Sequence, residues 1–454
     1  MGEWIGAVEA ARRLGVKQAT LYAYVSRGIL RRRRGPDGRS SLFDAGEIDA
    51  LAGGDRPRRG SRAADFVIES AVTEISDGRP RYRGMEVTKL ALWRPFEDVA
   101  EWLWTGTRGR AGGPAAGPLP ATGPGGLGGL GGPVWRATPE AVLAGTAAQA
   151  GLPPGTLPLE RLQVIVPAMA ATDRFRLHLD APAVMAAGRG IIAGMVECLP
   201  DPAPGPVPSQ QQPGITGPPA GLGGGGIAGR LWYKICPRRP DPGLLGALRA
   251  ALALLADHEL ATSTVAARVA ASVRADPYAV VATGLGALGG ALHEGAFQGS
   301  APPGGAARAS GGGSLAAEAM LASVREPADA ARVVGDRLRR GERIPGFGGM
   351  VYRSGDPRAV LLLDLIGKAA PRSARYAVAA SVLAEVGRRA LPEPDIDFAL
   401  AALASVAGMI PGAGEAIFAV ARTSGWIAHA MEEYAREAPL RTRAVYTGPA
   451  ASVH

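Results

Sequence analysis

The chain carries few side chains that can move protons, hold metals or attack carbonyls near neutral pH, so its chemistry must lie in a small set. Its five histidines are His178, His258, His293, His429 and His454, and its cysteines are Cys198 and Cys236. His178 sits among charges in Arg174-Phe-Arg-Leu-His-Leu and reads as a surface residue. His429, in Gly425-Trp-Ile-Ala-His-Ala, falls on an amphipathic helix and reads as structural; His454 is the last residue. His258 in Ala256-Asp-His-Glu-Leu and His293 in Ala291-Leu-His-Glu-Gly each stand beside a carboxylate. From the residues alone both stay open between packing and catalysis. The cysteines have no metal-ligand spacing and cannot form a disulfide framework; they fit a reducing cytoplasm. The glycine run at 125–129 follows no strand and leads to no Lys-Ser/Thr, so it is not a phosphate cradle.

Basic charge is concentrated at one end. The net charge is +9, and residues 1–62 supply +6 of it. A basic head on a nearly neutral body points to a polyanion met by the head alone. Apolar residues at 8, 10, 11 and 14 have helical spacing, and 18–26 reads as a second helix. A hairpin follows, with Arg31 to Arg34 on one arm, a turn at Gly35-Pro-Asp-Gly38 and Arg39 opening the other. Asp44 and Glu47 form a capping box for a third helix. Helix, tight turn, helix and basic wing is the helix-turn-helix layout. The string at 10–28 resembles the first half of MerR-type winged helix-turn-helix domains. That resemblance puts Lys17, Gln18, Thr20, Tyr22 and Arg27 on or beside a recognition helix, with Arg31 and Arg39 in a wing. The cations would neutralise phosphates and release counterions, while Gln18 and Thr20 would read base edges.

The elements that must position the histidines are helical. Aromatics are 5% of the chain, so the core is built from Ala, Leu and Val. Apolar residues recur at i, i+3, i+4 over 96–104, 139–150, 244–255, 314–322, 374–390 and 416–433, and no long alternating run appears. The expected layout is a head at 1–52, a flexible basic linker at 53–65 and a body at 66–447. Glycine- and proline-rich insertions at 111–133, 201–226 and 300–314 are expected to be disordered. No signal peptide and no 18-residue apolar run are found, so a cytoplasmic protein without a membrane span is expected.

Several strings in one order resemble the citrate synthase family. They are residues 256–272, Asp276-Pro-Tyr278, residues 287–296, Ile344-Pro-Gly-Phe-Gly348 with Val351-Tyr-Arg353, Asp356-Pro-Arg358, Asp395-Ile-Asp-Phe398 and residues 417–430. Glu74-Ile75 with Arg81-Tyr-Arg-Gly84 looks like the family's opening motif, and Leu440 to Tyr446 like its end. The resemblance covers most of residues 66–447 outside the insertions, and some bacterial members carry a helix-turn-helix head. It implies an all-α homodimer with a two-lobed body, the large lobe at 66–294 and 409–447 and the small lobe at 295–408.

It also implies a reaction: condensation of acetyl-CoA or propionyl-CoA with oxaloacetate, then hydrolysis of the thioester. Thioester methyl protons are very weakly acidic, so a base must meet the methyl carbon and a donor the thioester oxygen. By motif match the base is Asp397, with Asp395 the competing carboxylate. His293 is the thioester donor and His258 binds the oxaloacetate side. Arg358 and Arg422 clamp carboxylates, Arg441 reaches one in the other subunit, and Arg353, Gly346 and Gly348 lie near CoA. No metal or redox cofactor is implied; the CoA thioester is a substrate.

Two departures stand out. The family expects a histidine after Gly-Phe-Gly to polarise the oxaloacetate ketone, and this chain has Gly349 followed by Met350. Loss of one such donor typically costs about 10²- to 10³-fold in rate. Ala291 and Glu294 flank His293 where the family prefers Pro and Gly. Three outcomes are open: a working synthase, a related CoA-dependent enzyme with another acceptor or a lyase direction, and an impaired paralogue that senses metabolites and binds DNA.

Overall fold

The structure is a computed structural model. It describes residues 4–14, 16, 21, 30, 32–35, 41–46, 48, 68–106, 134–202, 226–290, 313–349, 351–352, 355–441 and 448. The chain divides into two compact units, Met1–Glu69 and Ser70–His454.

In the first unit, strand β1 (Trp4–Gly6) leads directly into helix α1 (Ala7–Leu14). Strands β2 (Arg32–Arg34) and β3 (Ser41–Asp44) pair antiparallel, and β1 adds to the other edge of β3. The β2–β3 pair coincides with the expected hairpin. Strand β1 was not expected, because three residues are too few to show a period. Ile5, Ala10, Ala11, Leu21, Leu30, Phe43, Ala45 and Ile48 form a small core. Asp44 accepts the Gly46 amide at 3.0 Å, as a capping residue does. The expected second helix lies outside the described residues, apart from Leu21.

The second unit opens with strands β4 (Thr73–Ser76), β5 (Arg79–Tyr82) and β6 (Met85–Glu86) in an antiparallel meander. The unit is mostly helical, as expected, but it carries one small sheet that an all-α reading did not include. The turns explain it. Asp77-Gly78 and Arg83-Gly84 all have positive φ, the geometry of tight two-residue hairpins, and Asp-Gly is a strong signal for one.

The helices follow. They are α2 (Val87–Trp93), α3 (Phe96–Thr105), α4 (Pro139–Ala150), α5 (Pro158–Ala170), α6 (Ala181–Cys198), α7 (Gly226–Ile235), α8 (Pro242–Leu255) and α9 (Thr262–Ser272). After them come α10 (Pro277–Leu288), α11 (Ser314–Ser323), α12 (Ala330–Arg339), α13 (Pro357–Ala369), α14 (Ala374–Arg388), α15 (Ile396–Ala407) and α16 (Ala413–Tyr434). Asp-Pro pairs start α8, α10 and α13. In each the Asp carboxylate accepts backbone N–H groups of the first turn, and Pro at the first position needs no donor. All six helices expected from periodicity are present within a few residues of the expected ends.

Helix α16 is the axis of the core. It packs against α3, α5, α6, α8, α9, α10, α11 and α15, and it is buried from Ala416 through Ala430. The expectation of no long apolar run is corrected by α6, whose 18 residues are apolar enough to cross a membrane. Its charges are matched inside the fold: Arg189 pairs with Glu101 at 2.5 Å and Glu197 with Arg230. Val184, Ile191, Ile192 and Met195 are fully buried, so α6 acts as a core helix. The expected insertions lie outside the described residues except at their edges. There Asp201 pairs with Lys234 at 2.8 Å, Gly226 starts α7 and Ser314 starts α11.

Candidate active site

The turn between α8 and α9 carries His258, and buried polar groups hold it from below. Tyr82 Oη contacts the carbonyls of Leu254 and Asp257 at 3.0 and 2.9 Å and accepts the Asp257 amide at 3.1 Å. From α16, Arg422 Nε donates to Leu255 O at 3.0 Å and Ser424 Oγ to Ala256 O at 3.1 Å. Asp257 Oδ2 accepts from Thr73 Oγ1 at 2.6 Å and from His429 Nε2 at 3.2 Å. A guanidinium only donates, so Arg268 Nη1, 2.6 Å from His429 Nδ1, fixes that nitrogen as acceptor and leaves the ring proton on Nε2. Arg268 also pairs with Glu432 at 2.6 Å and with Glu433. Burial opposes ionisation of Asp257, yet His429, Arg422 and Thr73 together hold its carboxyl below the usual range.

Two backbone features aim the turn. A Cβ on Gly425 would stand 2.2 Å from Asp257 Oδ1 and 2.6 Å from Ala256 O, so only glycine lets α16 approach this closely. Glu259 has φ 52, an uncommon conformation for a side-chain-bearing residue, directly after His258.

A second wall is built from local backbone. The loop Ile344–Gly349 lies across the start of α15. The Asp395 amide donates to Gly346 O at 2.9 Å, the Gly348 amide donates to Glu393 O at 3.1 Å, and Phe347 bridges Pro394. Gly346 has φ +80, and a Cβ there would fall 2.7–2.8 Å from Phe398 Cβ, Cα and N. The Asp395 side chain caps α15, accepting the amides of Asp397 at 3.0 Å and Phe398 at 3.4 Å. That cap sets Asp397 in the first turn. Burial, with help from nearby Asp356, pushes the Asp395 carboxyl up to about 6.

Tyr352 stands between His258 and Arg358. Its hydroxyl lies 2.9 Å from His258 Nε2, and the Arg358 guanidinium carbon stands 5.3 Å from its ring centroid. Arg358 is only 3% exposed and is held by Asp356, with Nε at 3.0 Å from Oδ1 and Nη2 at 2.9 Å from Oδ2. Arg422 is fully buried, and its guanidinium carbon lies 4.5 Å from the Phe418 ring centroid. The Tyr82 phenol sits within electrostatic reach of Asp257, Arg422 and Arg358, so both arginines approach one region.

Of the expected site residues, His258, Arg358, Arg422, Gly346, Gly348 and Asp397 are thus placed on these two walls. Arg441 lies exposed beyond the end of α16. His293, Glu294, Arg353 and Met350 lie outside the described residues. So do Lys17, Gln18, Thr20, Tyr22, Arg27, Arg31 and Arg39. In the head, Arg12 and Arg13 share the carboxylate of Glu9 across the outer face of α1. His429 is fully buried and hydrogen-bonded, as a structural histidine would be. The sequence reading missed Tyr352, Asp257, Arg268 and Tyr82. Tyr352 was inside a quoted motif, but only its neighbour Arg353 drew notice. The other three act through partners far away in sequence, and spacing cannot show that.

This arrangement defines a helical protein of the class formed by the solved citrate synthases. Citrate synthase from Thermoplasma acidophilum, solved with carboxymethyl-coenzyme A and oxaloacetate, matches with a TM-score of 0.61 at 21% identity. The match covers 86% of this chain and 96% of that one. The Thermotoga maritima enzyme matches at 0.59 and 21% identity with the same coverage. At such identities the likeness is one of fold.

The family described as citrate synthase, C-terminal domain, matches residues 136–443, and the chain belongs to the citrate synthase family. Citrate synthase 2 of Bacillus subtilis strain 168 is 34% identical over 227 residues, covering 49% of this chain and 56% of the relative. A 2-methylcitrate synthase of Mycobacterium tuberculosis is 29% identical over 212 residues, covering 46% and 50%. The chain spans about half the length of the curated relatives it matches.

Proposed function

We propose that the body condenses acetyl-CoA or propionyl-CoA with oxaloacetate, giving citrate or 2-methylcitrate and CoA. The observation that carries this reading is the convergence of His258, Tyr352 and Arg358, with Arg358 in electrostatic reach of Asp395, whose cap sets Asp397 in the first turn of α15. In the reaction Asp397 takes a proton from the acyl methyl group, and His293 donates to the thioester oxygen of the resulting enol. The enol carbon attacks the ketone carbon of oxaloacetate, and the ketone oxygen becomes a hydroxyl. Water then cleaves the thioester and releases the CoA thiol. Arg358 and Arg422 hold carboxylates, prepaying the orientation of the acceptor. Arg353, Gly346 and Gly348 line the CoA side. No metal or redox group takes part in these steps.

The reading extends to assembly and to the head. A cytoplasmic homodimer would bring Arg441 to the site of the other subunit. The Met1–Glu69 unit would be a MerR-type winged helix-turn-helix that meets DNA through Lys17, Gln18, Thr20, Tyr22, Arg27, Arg31 and Arg39. Gly349 favours a second reading, in which the site binds its ligands without fast turnover and the protein acts as a DNA-binding metabolite sensor. Thiol release from acetyl-CoA and propionyl-CoA with oxaloacetate separates the two. A synthase loses about 10²- to 10⁴-fold on Asp397→Ala, the contribution of a general base. Thiol release equal to that of the variant, with oxaloacetate still raising the melting temperature, leaves the sensor.

A further inference from the structure

We propose that Asp395 is the general acid of the condensation, its Oδ2–H giving the proton that turns the ketone oxygen of the oxoacid into a hydroxyl. The proposal deepens the synthase reading and rests on it. Asp395 and Asp356 stand within electrostatic reach of each other, and Asp395 also within reach of Arg358, but the two carboxylates are held differently. Asp356 uses both oxygens. Its Oδ1 accepts the Arg358 amide at 2.9 Å and Nε at 3.0 Å, and its Oδ2 accepts Nη2 at 2.9 Å. Asp395 uses one: Oδ1 accepts the amides of Asp397 at 3.0 Å and Phe398 at 3.4 Å. Its Oδ2 has no hydrogen-bond partner among the described residues, and the residue is only half-buried. The neighbouring loop leaves room there. A Cβ on Gly349 would have only Asp395 Cβ within 4 Å, at 3.7 Å.

The reaction needs such a group. When the enol carbon bonds to the ketone carbon, the π pair of the C=O moves onto oxygen, which must take a proton. Arg358 can bind a carboxylate but does not give up a proton. A carboxyl that titrates near 6 gains a proton from solvent and yields it to a developing alkoxide. An arriving oxoacid dianion favours the neutral acid further, because it repels the carboxylate. After the step Asp395 is a carboxylate and Asp397 holds the methyl proton; exchange with solvent resets both. One side chain thus sets the base through Oδ1 and supplies the acid through Oδ2.

Asparagine keeps the cap of α15 and removes the proton, so Asp395→Asn in the full chain separates the two roles. Thiol release is measured against pH with oxaloacetate varied. Oxaloacetate binding is measured by calorimetry in phosphate and in Tris, whose different heats of ionisation report proton uptake. In the wild type, kcat/KM for oxaloacetate is expected to fall about tenfold per pH unit above about pH 6, and binding near pH 8 to take up about one proton. Asp395→Asn should lower kcat about 10²-fold with the KM for the CoA ester unchanged, and should abolish both the alkaline limb and the uptake. A variant with wild-type turnover, the same alkaline limb or the same uptake overturns the proposal, as does a wild-type profile without an alkaline limb. If the wild type releases thiol no faster than Asp397→Ala, the synthase reading fails by itself. Proton uptake then decides: uptake that persists in Asp395→Asn sinks the assignment, and uptake lost there keeps Asp395 as the acid that meets the oxoacid.

Discussion

The two walls of the site are held by opposite means. Beneath His258 the support is long-range, polar and dry: Thr73, Tyr82, Asp257, Arg268, His429 and Glu433 come from β4, β5, α9, α16 and the turn itself, and nearly all are fully buried. Beneath Asp397 the support is local, made of glycine backbone, an N-cap and two close amide hydrogen bonds. The first wall fixes the histidine through a buried network in which removal of a charged member weakens or strands its partner. The second fixes the carboxylate through backbone shape, which tolerates side-chain changes but not a Cβ in the wrong place. The second also carries Gly349, where the resemblance implies a histidine. A wall held by backbone can lose one side chain and keep its form.

The largest expected effect lies in the first wall. Arg268 is fully buried between Glu432, Glu433 and His429. Arg268→Leu leaves the buried Glu433 carboxylate with only the more distant Arg436, at 3.7 Å, so it should destabilise the second unit by about 3–5 kcal/mol. Denaturant unfolding of the purified chain reads this directly. A loss below about 1 kcal/mol would show that the network is decorative. In the second wall Gly346→Ala forces a Cβ against Phe398 at positive φ, for which about 1–3 kcal/mol is expected. Gly349→Ala, three residues on, should change stability by less than about 0.5 kcal/mol. If both alanine variants behave alike, backbone shape does not hold this wall.

How much of this was legible in the sequence follows the same division. Repeated apolar spacing marked the helices, even α16, which is buried on every face from Ala416 through Ala430. Asp-Pro pairs marked helix starts, since an Asp cap and an N1 proline act within one turn. Motif order singled out His258, Arg358, Arg422 and Asp397 as candidates. Tyr352 was passed over, because its contact with His258 spans 94 positions, and nothing local records it. The β4–β6 meander was missed although Asp77-Gly78 announces its first turn; strands of two to four residues are too short for a period to register. The buried network was invisible because Asp257 and His429 meet only after α8 and α16 have packed.

The smallest expected effect tests the second wall by pH. Burial and Asp356 raise the Asp395 carboxyl from the ordinary aspartate range to about 6. The folded chain therefore holds a proton that the unfolded chain has already lost between about pH 4 and 6. The stabilisation from this group is complete below about pH 4 and disappears as the pH rises through 6. Asparagine keeps the acceptor for the amides of Asp397 and Phe398 and carries no charge to bury. Asp395→Asn should thus leave stability at pH 4 nearly unchanged and raise it by about 1 kcal/mol at pH 8, allowing for partial contact of the side chain with water. Melting curves of both proteins at the two pH values check the sign. A variant less stable than the wild type at pH 8 would mean that the ionised carboxylate strengthens the cap of α15 by more than its burial costs. The second wall would then depend on charge as the first does, and the contrast between them would fall.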